Sequence, residues 1–219
     1  MCRCTFEIIV DDWNKWLDEY EKKHSKSGKK ITNRFHQGAK GNEDNNGEFI
    51  HEIIGKVENE RQRQAFINDF IQEYINAKTE HMLVIDKHGK VHHITSNSVD
   101  SIYYENIDEV FKGSYNIHNH PPNETQFTFS VDSDIPSMFA DGTKVMEAFD
   151  YKYHYRFELP NGITFEEWND AFSSVEDNKS KLFMEKGLNL KEYEENYLHI
   201  LIEETCKQLG IKGYSRWKR

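Results

Sequence analysis

The chain has 219 residues, 37% hydrophobic, 30% charged and 13% aromatic, with a formal net charge of -10. That length and aromatic content exclude wholesale disorder and leave room for one sizeable core. The acidic balance argues against a general nucleic-acid binder, which needs clustered Lys and Arg, and no apolar run approaches the roughly 20 residues of a membrane helix.

In chain order, Met1-Cys2-Arg3-Cys4 lacks the apolar core of a secretory signal. Cys2, Cys4 and Cys206 form no disulfide framework, so a cytoplasmic, reducing setting is expected. Cys2 and Cys4 alone are too few thiolates to close a structural zinc site. Residues 5–10 read as a short strand or a helix lead-in, and Asp11 or Asp12 then caps a helix with Trp13, Trp16, Leu17 and Tyr20 on one face. Over residues 21–47 the periodicity fails. Lys22, Lys23, Lys26, Lys29, Lys30, Arg34 and Lys40 lie among Ser, Gly and Asn, which reads as a basic linker. Residues 48–78 return to helical spacing, with one stripe at Ile50, Ile53, Ile54 and Val57 and another at Phe66, Ile67, Phe70, Ile71, Tyr74 and Ile75. Residues 1–75 are therefore read as an N-terminal helical region containing that linker.

The period then changes. Residues 81–86 are a buried-strand signal, Lys87-His88-Gly89-Lys90 a turn and residues 91–95 a second strand, which together make a hairpin. A short helix over 106–111 and a strand over 114–118 follow. Tyr151, Tyr153, Tyr155, Phe157 and Leu159 alternate with Lys152, His154, Arg156 and Glu158, the signature of a half-buried antiparallel strand. Thr164-x-x-Glu167 and Asn189-x-x-Glu192 each match a capping box ahead of an apolar helical stripe, and Gly210 ends the last one. The fold class expected is α+β: a small mixed, largely antiparallel sheet near 80–160, flanked by N- and C-terminal helices. Residues 161–219 are the C-terminal helical extension.

The chemistry concentrates in Tyr115-Asn116-Ile117-His118-Asn119-His120-Pro121-Pro122 and the following Ser130-Val131-Asp132-Ser133-Asp134. Residues two apart on a strand share a face, so His118 and His120 aim two imidazoles at one spot, and Pro121-Pro122 stops the strand. A carboxylate arriving from the start of the next helix completes three ligands. Zinc held by two His and one acid keeps its fourth position for water, which is a catalytic arrangement. Asp132 and Asp134 both compete for the third place.

Glu80, the hairpin after it, His118-x-His120, and Ser130 with a following Asp together resemble the JAB/MPN metalloprotease domain and its JAMM motif, closest to the JAB-like domains of bacterial and phage proteins. The resemblance covers about residues 76–160. Nine residues separate His120 from Ser130 and three separate Ser130 from Asp134, two and one more than in that motif. The resemblance implies a cytidine-deaminase-like layering and Zn2+ on His118, His120 and Asp134. It also implies Glu80 as the residue that moves protons between water and the leaving amine, and Ser130 as donor to the oxyanion. The reaction implied is hydrolysis of a peptide or isopeptide bond. The substrate would be a protein or peptide, including a ubiquitin-like protein joined through its C-terminal Gly.

Two other readings compete. The first is a catalytically inactive MPN-like scaffold or interaction module, since a fold does not carry its chemistry with it. The second is a nuclease, suggested by the letters His118-Asn119-His120. That would require a ββα-metal fold, whereas here the His pair ends a strand at Pro-Pro.

Overall fold

The computed structural model describes residues 49–96, 102, 104, 107–122 and 127–219, all within the compact unit Gly41–Arg219. The helix expected after Asp11 or Asp12, the linker 21–47 and the Cys2/Cys4 pair lie outside the described residues. Those described form strands β1 (Ile50–Lys56), β2 (His81–Ile85), β3 (Lys90–Thr95), β4 (Tyr115–Asn119), β5 (Val145–Phe149), β6 (Tyr153–Glu158) and β7 (Tyr214–Lys218). The helices are α1 (Glu60–Tyr74), α2 (Asp108–Phe111), α3 (Asp134–Asp141), α4 (Phe165–Asp177), α5 (Lys179–Lys186) and α6 (Leu190–Gln208). None is long and apolar enough to cross a membrane.

The strands make one open sheet in the order β1-β3-β2-β4-β5-β6-β7. Every neighbouring pair is antiparallel except β4 and β5. The mixed, largely antiparallel α/β architecture is as expected, but the sheet is larger than expected. Both of its outer strands come from segments read as helical flanks.

The stripe Ile50, Ile53, Ile54, Val57 is the clearest departure, because residues 50–56 are strand and not helix. Adjacent β-branched Ile53 and Ile54 followed by Gly55 are poor helix interior, and β3 offers an edge to pair with from Ile50↔Thr95 to Lys56↔Lys90. Gly55 lies where Phe66 of α1 crosses the strand; a Cβ there would stand 2.5 Å from the Phe66 ring. Asn59 accepts from the Gln62 N–H and starts α1. The second stripe behaves as read: Ile67, Phe70 and Ile71 of α1 pack on Leu83, Ile85, Val91, Tyr115, Ile117, Val145 and Phe149. Met82, Val84 and Ile94 bury against Phe111 of α2 on a second cluster.

The expected hairpin is β2–β3. Its turn is held by Asp86, whose Oδ1 accepts from the His88 and Lys90 N–H groups at 2.8 and 2.9 Å. Gly89 takes φ +79 there, and its carbonyl accepts from the Val57 N–H at 2.8 Å. Both capping boxes are present, Thr164 with Glu167 at α4 and Asn189 with Glu192 at α6. Tyr214–Lys218, at the end of the segment read as a helical extension, form β7 instead.

Candidate metal centre

Sheet topology brings three chain segments to one place. A parallel pair needs a crossover, and residues between β4 and β5 supply it through α3. The helix therefore starts near the carboxyl end of β4, where His118 and His120 lie, and Asp134 is its first residue. On the other side β2 runs antiparallel to β4 with Met82↔His118 in register. Continuing that register two residues places Glu80 opposite His120, on the face shared by Met82 and His118.

His118, His120 and Glu80 are all buried, at 2%, 6% and 8% exposure. The two imidazole Nε2 atoms are 2.9 Å apart. Asp134 straddles them, with Oδ1 3.4 Å from His118 Nε2 and Oδ2 3.3 Å from His120 Nε2. Zinc bonds of about 2.0–2.1 Å set tetrahedral ligand atoms about 3.3 Å apart. The observed separations fall within a few tenths of an ångström of that edge, the two Asp134 distances being to different oxygens, so the donor set is compatible with such an ion. A carboxylate oxygen of Glu80 also lies within 4.8 Å of a ring nitrogen of each histidine. The pair of imidazoles is thus flanked by two carboxylates, and proximity alone admits either as third ligand.

Electrostatics couple these groups closely. Burial pushes the Asp134 carboxyl up, but the two imidazoles overcome it and hold it well below the usual carboxylate range. Burial lowers the His118 pKa, against a partial pull from Asp134, leaving that ring neutral at pH 7. Burial also opposes charge on His120, but the bond and charge of Asp134, with Glu80 and Asp150 beyond, raise its pKa instead.

Glu80 is held by its backbone. The Asn119 side chain faces away from the histidines, as strand alternation requires, and spans the residue: its Oδ1 accepts from the His81 N–H at 2.8 Å and its Nδ2 donates to the Thr79 carbonyl at 3.0 Å. Thr95 Oγ1 donates to the Glu80 carbonyl at 2.7 Å. The ladder between β2 and β4 has ended by this point, and one amide side chain takes over its role.

Ser130 belongs to the turn ahead of α3. Its N–H donates to Asp134 Oδ2 at 2.7 Å, and its Oγ accepts from the Asp132 and Ser133 N–H groups, each at 3.2 Å. The hydroxyl proton remains available to donate. Asp132 is exposed, while Asp134 stands against both imidazoles.

Two further residues join the site that spacing did not single out. Tyr155 Oη lies 3.0 Å from His120 Nδ1 and donates to Asp150 Oδ2 at 2.9 Å. Tyr155 was legible only as one of four alternating aromatics. Asp150 had a weak signal, an Asp opening the turn before β6, where its Oδ1 accepts from the Lys152 and Tyr153 N–H groups.

Comparison of the chain with protein-family models, with curated proteins and with solved structures finds no match.

Proposed function

We propose that this protein is a zinc-dependent metallopeptidase of JAMM type that hydrolyses a peptide or isopeptide bond in a protein or peptide substrate. The observation that carries the reading is the convergence of His118, His120 and Asp134 at separations of 2.9 to 3.4 Å, with the Glu80 carboxylate beside them. Asp134 is the better third ligand, because its two oxygens face one imidazole each. Zinc bound there would supply a Lewis acid and a water of lowered pKa.

The remaining roles fall to the chain. Glu80 takes a proton from the attacking water as the C–O bond forms and returns it to the amine nitrogen as the C–N bond breaks. Ser130 Oγ–H donates to the carbonyl oxygen as it gains negative charge. The substrate class implied by the sequence resemblance is a ubiquitin-like or other C-terminal-Gly conjugate. Three cysteines without a disulfide framework suit a cytoplasmic enzyme, and Cys206 is a buried free thiol.

The test is zinc content of the purified protein together with cleavage of a peptide library, with and without chelator, for the wild type and Glu80→Gln. One zinc per chain, chelator-sensitive cleavage, and a Gln variant that keeps zinc but loses about 10²–10⁴ in rate are expected. A Gln variant that loses zinc makes Glu80 a ligand. A chain with zinc and no cleavage is an MPN-like scaffold, and a chain with neither sinks the proposal.

A further inference from the structure

We propose that Asp150 and Tyr155 are positioning residues that keep a proton on His120 Nδ1, so that Nε2 is the nitrogen left to present a lone pair to a metal beside His118 and Asp134. The inference rests on the metal-site reading above and extends it to two residues outside the motif.

Asp150 is 1% exposed, and both its carboxylate oxygens are fully engaged as acceptors. Oδ1 takes the Lys152 and Tyr153 N–H groups at 2.6 and 2.7 Å. Oδ2 takes the Phe127 N–H at 2.7 Å and the Tyr155 hydroxyl at 2.9 Å. Three of these donors are backbone amides, which cannot reverse. A carboxylate that accepts three amide N–H groups is favoured in its ionised, acceptor-only form, so Tyr155 donates the fourth bond. The Tyr155 oxygen then offers His120 Nδ1 only lone pairs, and Nδ1 must carry the proton. In the neutral ring Nε2 is then the bare nitrogen, 2.9 Å from His118 Nε2 and 3.3 Å from Asp134 Oδ2.

The two histidines differ in this respect. Among the described residues His118 Nδ1 is buried with no hydrogen-bond partner, so nothing of this kind selects its tautomer. Among the described residues, then, it is His120 whose second nitrogen has such a partner. A ligating imidazole whose second nitrogen is bonded to an acceptor is held in orientation and made more basic. Here a tyrosine transmits the effect from a buried carboxylate.

The same Asp150 oxygen reaches the segment that leads into Ser130 and Asp134. Phe127 has φ 74, a left-handed conformation that a bulky side chain adopts only under constraint. Its N–H is taken by Asp150, and its carbonyl accepts from Arg216 Nη1 at 2.9 Å. One carboxylate thus orients a ligand just past the end of β4 and pins the chain segment that runs on to Asp134.

The experiment is competition of Zn2+ between a chromophoric chelator and the full-length chain, in the wild type, Tyr155→Phe and Tyr153→Phe. Tyr153 lies on the same strand and its hydroxyl bonds Glu195, away from His120, so its variant controls for loss of a tyrosine hydroxyl as such. Zinc affinity is expected to fall about 10–100-fold in Tyr155→Phe and to stay within about twofold in Tyr153→Phe. Equal affinity in Tyr155→Phe and the wild type overturns this inference while leaving the metal site standing. A wild type that binds no Zn2+ ends the metal reading and this inference with it. Should Tyr155→Phe fail to fold, side-chain 15N spectra of the zinc-free wild type, recorded where His120 is neutral, decide: a protonated Nδ1 with bare Nε2 supports the assignment, and the reverse tautomer overturns it.

Discussion

The amide of Asn119 grips the peptide groups on both sides of Glu80, accepting from the His81 N–H and donating to the Thr79 carbonyl. Asn119 sits between the two histidines in sequence and on the opposite face of the sheet in space. It therefore holds the acid without occupying the site.

Asn119→Ala is expected to leave Zn2+ affinity within about twofold and to cut turnover about 10²-fold, since a displacement of about 1 Å at a reacting group costs that much. Asn119→Asp keeps an acceptor for the His81 N–H but cannot donate to Thr79, so its loss should be smaller than that of Ala. Steady-state kinetics with parallel zinc titrations check both. A large loss of zinc affinity in either variant would mean that Glu80 placement and metal binding are not separable.

Ser130→Ala should have two separable effects. Losing the oxygen that accepts the Asp132 and Ser133 N–H groups costs about 1 kcal/mol, by analogy with a helix cap, or about 2–4 °C in Tm for a chain of this size. Losing the oxyanion donor costs about 10²–10³ in kcat. Melting curves measured beside turnover separate them: a small Tm shift with unchanged kcat would confine Ser130 to bracing the turn.

Zinc should stabilise the fold and do so more strongly as pH rises. At 100 times its Kd a ligand contributes about 2.7 kcal/mol, or about 5–10 °C here. Because Asp134 outweighs burial and raises the His120 pKa, a proton competes for Nε2. Below that raised pKa zinc affinity should climb about tenfold per pH unit, then level off above it. The zinc-free protein has the opposite dependence from this group: the protonated His120–Asp134 contact is fully present below the unfolded histidine pKa of about 6.5 and is lost as pH rises through the folded value. Calorimetric scans across pH, with and without Zn2+, should therefore diverge as pH increases. Parallel curves would contradict the assignment.

Gly89→Ala probes the hairpin that delivers β2. The residue has φ +79, and a Cβ would stand 2.4 Å from the Val57 carbonyl oxygen, a backbone atom with little freedom to move. Left-handed strain and overpacking together predict a loss of about 2–4 kcal/mol, to be read from denaturant midpoints. A loss below about 1 kcal/mol would show that this contact relaxes easily.

Local chemistry made much of this protein legible in one dimension. Period-two alternation marks β6, the Lys87–Lys90 turn marks the β2–β3 hairpin, and Thr164/Glu167 and Asn189/Glu192 start their helices through contacts within one turn. The pairing of His118 with His120 is equally local, because adjacent same-face positions on a strand need nothing else. Residues 50–57 were not legible, since their apolar spacing suits a helix as well as a strand and only an available edge on β3 decides. The tertiary structure likewise chose between Asp132 and Asp134 for proximity to the imidazoles, because a parallel β4–β5 pair dictates where α3 begins. Asp150 and Tyr155 reach His120 from 30 and 35 positions away in sequence, through hydrogen bonds that exist only once β5 and β6 lie beside β4. Spacing along a chain encodes what neighbours in sequence do to each other; which distant side chain supplies the next acceptor is settled by strand order.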